Sequence, residues 1–523
     1  MSVQMALGDE LRVADVIRRQ AGERGDVIAI RHGSRALTYR ALDERSNRLA
    51  QALLAAGVGP GSRVAHLDRT GPEVIELLFA ASKIGAVLVP LNWRLAVPEL
   101  TRIVADAAAP LLIAGTAFAD AASAIAGALP SPLRTVEVGP AYERWVAAHA
   151  PVDPGDRGAS GDTVVQMYTS GTTGVPKGVL TTHRNLAAAA ETSPYWAFDS
   201  ESVSMTPLPM FHIGGIGWAF LGLWNGATTV LVSQFVADDV LDVLEQQRVT
   251  NTVLVPTMIQ TLTAVPGAAE RDYSALRSIA YGASPITTTL LEAALRTFRC
   301  PLYGVYGLTE STGGVIHLEP ADHDPDGPSR HLLRSAGRPL PWVDVKIADA
   351  TNGTELGPGE VGEVWVRAPN VMLGYFNRPA ETAAALTPDG WLRTGDGGYV
   401  DEDGYLFLTD RIKDMIVSGG ENVYPIEVED VLAQHADVAD VAVVGIPDAH
   451  WGELVKAFVI LRPGCSGTGD ELVAFARERL AGYKLPRAIE FVDDLPRTPS
   501  GKVLKRELRE REQGSPPAPS ANR

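Results

Sequence analysis

From residue 27 onward the chain alternates short apolar runs with stretches whose apolar residues return every three to four positions, the periods of buried strands and amphipathic helices. The first series reads "VIAIRHG", a helix from about Tyr39 that Gly57 ends, "RVAHLD", a helix over "PEVIELLFAASKI", and "AVLVPL". A second runs through "TTVLV", "DDVLDVLEQQ", "NTVLVP", "LRSIAYG", "ITTTLLEAALRTF" and "CPLYGVYG". Strands alternating with helices of this length predict parallel sheets covered by helices on both faces, one sheet for each series. From about 335 to 410 the pattern changes to short strands with glycine turns, "WVDVKIAD", "GEVWVRAP" and "GYVDEDGYLFLTD", which predict a small antiparallel β-barrel. Beyond Lys413 a compact α/β unit follows, with apolar strands at Val438 to Ile446 and in "LVKAFVIL", the helix "DELVAFARERLAG", and "AIEFVD".

The fold class expected is α/β. A large N-terminal domain spans 1–410, with two sheet-and-helix subdomains over 27–334 and the barrel over 335–410. A small C-terminal domain covers 414–510, and a polar, proline-rich tail over 511–523 is expected to be disordered.

Length supports this division, because 523 residues exceed what one core usually holds. A composition of 46% hydrophobic and 21% charged residues is that of a soluble globular enzyme, and a net charge of -17 disfavours nucleic acid as a partner. Cys300 and Cys465 stand far apart without a CxxC or histidine spacing, which excludes a zinc cluster and fits a reducing compartment. The first residues carry acids rather than a signal-length apolar core, and the longest apolar stretch, from Leu77, is broken by Lys83. A cytoplasmic location is expected. Peripheral membrane contact and a homodimer are left open.

One loop raises the question of chemistry. "MYTSGTTGVPKGVLTTHRN", residues 167 to 185, looks like a phosphate-binding loop, yet Pro176 stands where a Walker loop needs its second glycine, and Gly178 follows Lys177 where it needs Ser or Thr. Apolar runs at Val164 to Tyr168 and from Gly178 to Leu180, with the next helix near Thr182, make it a connection between two strands. The hydroxyls and amides of Thr169, Ser170, Gly171, Thr172, Thr173 and Gly174 suit an anion nest, but equally an exposed turn.

Further stretches decide between them: "YGASP" at 281, "YGVYGLTES" at 303, "WLRTGD" at 391, "DRIKDMIVSGGENVYPIEVE" at 410 and "RTPSGKVLKRELRE" near the end. In this order, over nearly the whole chain, they resemble the adenylate-forming superfamily, and within it the acyl-CoA synthetases, fatty-acid–CoA ligases above all. The resemblance implies ATP and Mg²⁺, with coenzyme A as co-substrate. The chemistry needs a cation, since two unit charges about 4 Å apart repel by about 4 kcal/mol at an effective dielectric near 20.

By the resemblance, Glu310 and Thr172 hold Mg²⁺, and Thr309 and Thr172 give hydroxyls to the phosphates. Lys177 and Gly307 belong to the same ATP site, Tyr306 lies against the adenine, and Gly282, Ala283 and Ser284 let the purine approach the backbone. Asp396 and Arg411 grip the ribose. Lys502 reaches from the small domain to bridge carboxylate and α-phosphate, a task suited to a compact ammonium. A hinge over 411–413, centred on Lys413, swings that domain away for the second step. Ser418, Gly419, Gly420 and Glu421 then line the thiol tunnel. Outside the resemblance, Glu310 reads as the N-terminal acid of a helix and Lys502 as a solvated turn lysine.

The acid pocket is expected at His212, in "PMFHIGGIGW", with Tyr281, Gly304 and Gly313; His212 either gates it or simply packs. Phe211, His212 and Ile213 include no acid to pair a substrate ammonium, which disfavours amino acids, and "ITTTLLEAAL" offers no cation for a second carboxylate before Arg296. Apolar acids remain, medium- or long-chain fatty acids first, aryl or alicyclic acids second. The rivals are an acyl-AMP ligase that loads a carrier protein and, outside the ligase class, a non-catalytic nucleotide- or acyl-binding homologue. Thr172, Glu310, Asp396, Arg411 and Lys502 together stand against the latter.

Overall fold

The computed structural model describes residues 11–155, 157–169, 176–284, 286–411, 416–418, 421–448, 451–480, 482–497 and 503–513. The periodicities of the sequence become elements close to where they were expected. The helix Pro72–Ile84 starts on a proline that has no amide to leave unpaired, and ends at Gly85, whose φ of 70° closes it. It is buried along its whole length, which explains a helix apolar on nearly every side. Its Lys83 is tolerated because Nζ donates to Asp43 Oδ1 at 2.5 Å and Ser46 Oγ at 2.8 Å.

One sheet runs, in spatial order, through Gly374–Tyr375, Lys177–Thr182, Thr163–Thr169, Val87–Pro90, Arg63–Leu67, Leu111–Ala114 and Arg134–Glu137. Within it β1 (Thr163–Thr169) and β2 (Lys177–Thr182) pair antiparallel, as the loop between them requires, with Thr169 opposite Lys177. Helix α1 (His183–Ala190) follows at once. The Thr182 hydroxyl accepts from the Asn185 amide at 3.1 Å while Asn185 Oδ1 accepts from the Thr182 amide at 2.9 Å, a reciprocal cap that starts the helix.

The second sheet has nine strands, with Asn251–Leu254, Val203–Thr206 and Thr228–Leu231 at its centre. Ile28–His32 joins this sheet by parallel pairing with Thr228–Leu231, although its place in the chain puts it in the first series. Periodicity gives a strand but not its neighbour. Helix α2 (Ile213–Trp224) packs on this sheet, and at the other end lie β3 (Ser278–Gly282), β4 (Leu302–Leu308) and β5 (Gly313–Leu318). β3 and β4 are parallel, whereas β4 and β5 form an antiparallel hairpin.

The region expected to form a barrel is, among the described residues, a four-stranded antiparallel path: Asp344–Ala348, Gly362–Arg367, β6 (Leu392–Val400) and β7 (Leu406–Arg411). A last sheet, built on the long antiparallel pair Val438–Asp448 and Gly452–Leu461, makes the C-terminal unit. Arg334 Nε lies 2.8 Å from Asp430 Oδ2, and the Gln260 amide donates to Ala439 O at 3.2 Å, so this unit rests against the large one. The final helix, Lys505–Gln513, corrects the start of the expected tail: residues 511–513 continue it, its apolar Leu508 held in the core. Residues 514–523 and the expected hinge residue Lys413 lie outside the described residues. No helix among the described residues is long and apolar enough to cross a membrane.

Candidate active site

The site is built around the turn that joins β4 to β5. At Gly307 a Cβ would stand 1.9 Å from Gly313 O, so the two strands close over a glycine that no other residue can replace. The Ser311 hydroxyl accepts from the Leu308 amide at 2.9 Å and donates to Gly313 O at 2.8 Å, while Asn370 Nδ2 donates to Ser311 O at 2.7 Å. Thr312 is held at a φ of 49°, a strained setting for a β-branched residue. Glu310 thus sits in a hairpin turn and not at a helix N-terminus. Its carbonyl accepts from the Met372 amide at 2.8 Å, and its Oε1 accepts from the Tyr375 hydroxyl at 2.8 Å.

Tyr375 also ties this turn to the phosphate-loop hairpin. Gly374 and Tyr375 pair with Leu180 and Val179 of β2, and Lys177 Nζ lies 5.0 Å from the Tyr375 ring centre. Thr169 and Lys177, at the ends of the loop, are therefore carried beside Glu310. Ser170, Gly171, Thr172, Thr173 and Gly174 lie outside the described residues.

On the other side of β4 the Tyr306 hydroxyl donates to Asp396 Oδ2 at 2.9 Å, and Asp396 stands opposite Arg411 in the pairing of β6 with β7. The candidate adenine and ribose residues are thereby brought together. At Gly282 a Cβ would meet Val305 O at 2.3 Å, and Ala283 adopts a φ of 68°, so the turn after β3 is folded tightly against β4 next to Ser284. Thr309 is half-buried in the hairpin turn, its carbonyl accepting from the Thr312 amide at 3.0 Å. Ser418 is buried and pairs with Glu421. Gly419, Gly420, Lys502 and the side chains of Arg411 and Glu421 lie outside the described residues.

The acid pocket needs a correction. Along β4, Val305 stands opposite His317 and Tyr306 opposite Ile316, so alternate residues face opposite ways. Gly304 points with Tyr306, and the space its missing side chain leaves is filled by Tyr281, whose hydroxyl would lie 2.9 Å from a Cβ there. Tyr281 itself is a core residue that donates its hydroxyl proton to His323 Nε2 at 2.9 Å, while His323 Nδ1 faces Glu319 O at 2.7 Å and so carries the ring proton. Tyr281 and Gly304 therefore do not line a pocket on the α2 side. Val305 points the other way and shares one apolar cluster with Ile213 and Trp218 of α2. Gly313, at a φ of 100°, belongs there, because a Cβ on it would meet only Ile213 Cγ1, at 4.0 Å. His212 stands just before α2 without its side chain capping the helix, and its ring lies 4.5 Å from that of Phe211. Burial, with a smaller push from Arg94, lowers its pKa to about 4, so it is a neutral imidazole at physiological pH.

Among the described residues no cluster of three or more His, Cys, Asp or Glu forms a metal cage. A single fixed carboxylate suits Mg²⁺, which takes one or two and fills its other positions with phosphate oxygens and water. Tyr375 and Asn370 carried no sequence signal, since each acts on the turn through pairing or packing distant in the chain.

A family model of AMP-binding enzymes matches residues 17–376, and a model of the AMP-binding enzyme C-terminal domain matches residues 427–502. The chain belongs to the AMP-binding enzyme family. It is 43% identical over 483 residues to a fatty acid–[acyl-carrier-protein] ligase, ScoC, of Streptomyces coeruleorubidus, covering 91% of this chain and 92% of that protein. It is 42% identical over 499 residues to a feruloyl-CoA synthase of an Amycolatopsis species, covering 94% and 97%. Among solved structures, ATP-bound MatB from Rhodopseudomonas palustris superposes with a TM-score of 0.88 at 29% identity, over 96% of this chain and 99% of that one. This AMP-binding enzyme is thus an adenylate-forming enzyme in fold, a large α/β domain followed by a smaller C-terminal one.

Proposed function

We propose that this AMP-binding enzyme is an ATP-dependent acid–thiol ligase. A carboxylate oxygen attacks the α-phosphorus of ATP, the bond to the β-phosphate breaks, and pyrophosphate leaves an acyl-adenylate. The sulfur of coenzyme A, its proton lost, then attacks the acyl carbon, the bond to the phosphate oxygen breaks, and AMP leaves with the thioester formed. The observation that carries the reading is a single turn: it holds Glu310 against Tyr375 while the strand leading into it fastens Tyr306 to Asp396.

Tyr306 and Asp396, with Arg411, hold the nucleoside, and the loop between β1 and β2 clasps the β- and γ-phosphates. Glu310 and Thr172 are the residues that would hold Mg²⁺, which, when bound, offsets the charge of the phosphates. Lys502 stabilises the charge growing at the α-phosphate, and the hinge at Lys413 removes it for the second step. Ser418, Gly419, Gly420 and Glu421 form the passage for the thiol.

The wall formed by Ile213, Val305, Gly313 and Trp218 carries no charge, which supports an acid with one carboxylate and no ammonium. Bulky rings favour compact ring acids over long chains here, because Trp218 of that wall is backed by Trp196 and Phe198, each with its ring centroid 5.2 Å from that of Trp218. The named relatives differ in acid and in acceptor, so coenzyme A is put first and a carrier protein second.

The test is release of AMP and pyrophosphate from ATP and Mg²⁺ with ring and fatty acids, with and without coenzyme A. Acid-dependent pyrophosphate release, and AMP release that needs coenzyme A, are expected. Silence across the panel from folded protein would overturn the ligase reading, and AMP release that needs a carrier protein would overturn the choice of acceptor.

A further inference from the structure

Behind the α2 side of β4 lies a closed box of aromatic rings that the two-step chemistry does not use. The Trp196 ring stacks on His317 with centroids 4.9 Å apart and planes at 27°, and Trp218 stands 5.2 Å from Trp196. His317, Trp218 and Trp196 are 2%, 5% and 6% exposed. Four polar atoms in this box, the indole nitrogens of Trp196 and Trp218 and both ring nitrogens of His317, have no hydrogen-bond partner among the described residues. Buried polar groups are nearly always paired, so such a concentration beside an active site calls for a ligand that pairs them.

Two observations connect the box to the acid pocket. A Cβ on Gly314 would lie 3.1 Å from His317 Nε2, so that nitrogen looks onto the bare backbone next to Gly313. His317 also stands opposite Val305, two residues along β4 from Gly307, at the foot of the turn that carries Glu310. At roughly 3.4 Å per residue this places His317 about 7 Å along the hairpin from the level of Gly307. The box is held in place: Trp196 O accepts from Asn251 Nδ2 at 2.7 Å and from Ser278 Oγ at 2.8 Å.

Burial pushes the His317 pKa down to about 3, so the ring is neutral and offers one N–H and one bare nitrogen. A phenolic hydroxyl pairs three of these four atoms, its oxygen accepting from the two indole N–H groups while its proton goes to the bare imidazole nitrogen, and leaves only the imidazole N–H. We propose that Trp196, Trp218 and His317 form the far wall of the acid pocket and select an aromatic carboxylic acid that bears a hydroxyl at the end remote from its carboxylate. This rests on the ligase reading above.

The experiment compares kcat/KM for 4-hydroxycinnamate, cinnamate and octanoate in the full-length protein and in His317→Phe, which keeps a ring on Trp196 and removes both nitrogens. The wild type prefers 4-hydroxycinnamate over cinnamate by about tenfold or more, because a site built to hydrogen-bond a hydroxyl rejects the analogue lacking it. His317→Phe erases that preference, chiefly by losing the hydroxylated acid, and leaves the KM for ATP unchanged. Equal use of the two ring acids by the wild type, faster use of octanoate, or a preference that survives His317→Phe would each overturn the proposal while leaving the ligase reading intact. Failure of every acid to release AMP strikes the ligase reading instead. If His317→Phe does not fold, Trp218→Phe puts the same question, with the same outcomes on either side.

Discussion

Tyr375 Oη and Glu310 Oε1, 2.8 Å apart, define what a single side chain can do at this site. A hydroxyl that donates to one oxygen of a carboxylate fixes the direction of the other, and makes Tyr375 a positioning residue for a group expected to hold Mg²⁺. Tyr375→Phe is expected to lower the rate of acid-dependent pyrophosphate exchange about tenfold, or about 1.4 kcal/mol, and to raise the Mg²⁺ concentration needed for half-maximal rate. Titrating Mg²⁺ in that exchange assay checks it, and an unchanged Mg²⁺ dependence would refute the positioning role. Glu310 and Asp396 were legible in the sequence because each sits inside a recognisable run. Tyr375 was not, because it meets Glu310 only through the pairing of its two-residue strand with β2, a contact that no local pattern records. His317, Trp196 and Trp218 were equally silent, since aromatic residues in strands and helices read first as core.

At the scale of elements, the β4–β5 hairpin depends on Gly307. A methyl group 1.9 Å from Gly313 O cannot be absorbed by a side-chain rotation, because both sides of the contact are backbone. Gly307→Ala is expected to open the hairpin, cutting pyrophosphate exchange to below about a tenth, as a misplacement near 1 Å can, and lowering the melting temperature. Gly217→Ala in α2 is the comparison. Its Cβ would meet only the flexible Ile213 side chain, 3.5 Å from Cδ1 and 3.8 Å from Cγ1, and alanine is the better helix former, so it should melt no lower than the wild type. Calorimetry of both variants separates the outcomes. Most strands and helices, and the connection between β1 and β2, could be read from periodicity, glycine and capping residues; the β4–β5 hairpin could not, because the residues after Leu308 read as the start of a helix. Which face of β4 looks onto the acid could not. A shift of one position exchanges the faces, and only the approach of Gly314 to Val305 Cγ1 and of Gly313 to Ile213 Cγ1 puts Val305, rather than Gly304, on the α2 side.

At the scale of the whole molecule, the small C-terminal unit rests on the large one at contacts that include Arg334–Asp430 and Gln260–Ala439, polar pairs that can break and remake. The proposed two-step cycle needs such a seam. Lys502→Ala is expected to lower pyrophosphate exchange by about 10²-fold, close to 3 kcal/mol, while thioester formation from a supplied acyl-adenylate survives. An equal loss in both steps would refute the alternation of the small unit. The division into a large α/β part and a smaller C-terminal one was legible from the change of pattern near residue 335 and again beyond Lys413. The membership of each sheet was not, because parallel pairing joins segments remote in the chain.

Ile28–His32 shows what that remoteness entails while the protein is being made. Its parallel partner, Thr228–Leu231, leaves the ribosome only after every strand of the other sheet except Gly374–Tyr375 has emerged, so an apolar strand with an unfilled edge persists through much of translation. The nascent chain must be shielded from its neighbours during that interval, and the large domain cannot be cut between its two sheets into fragments that each fold alone.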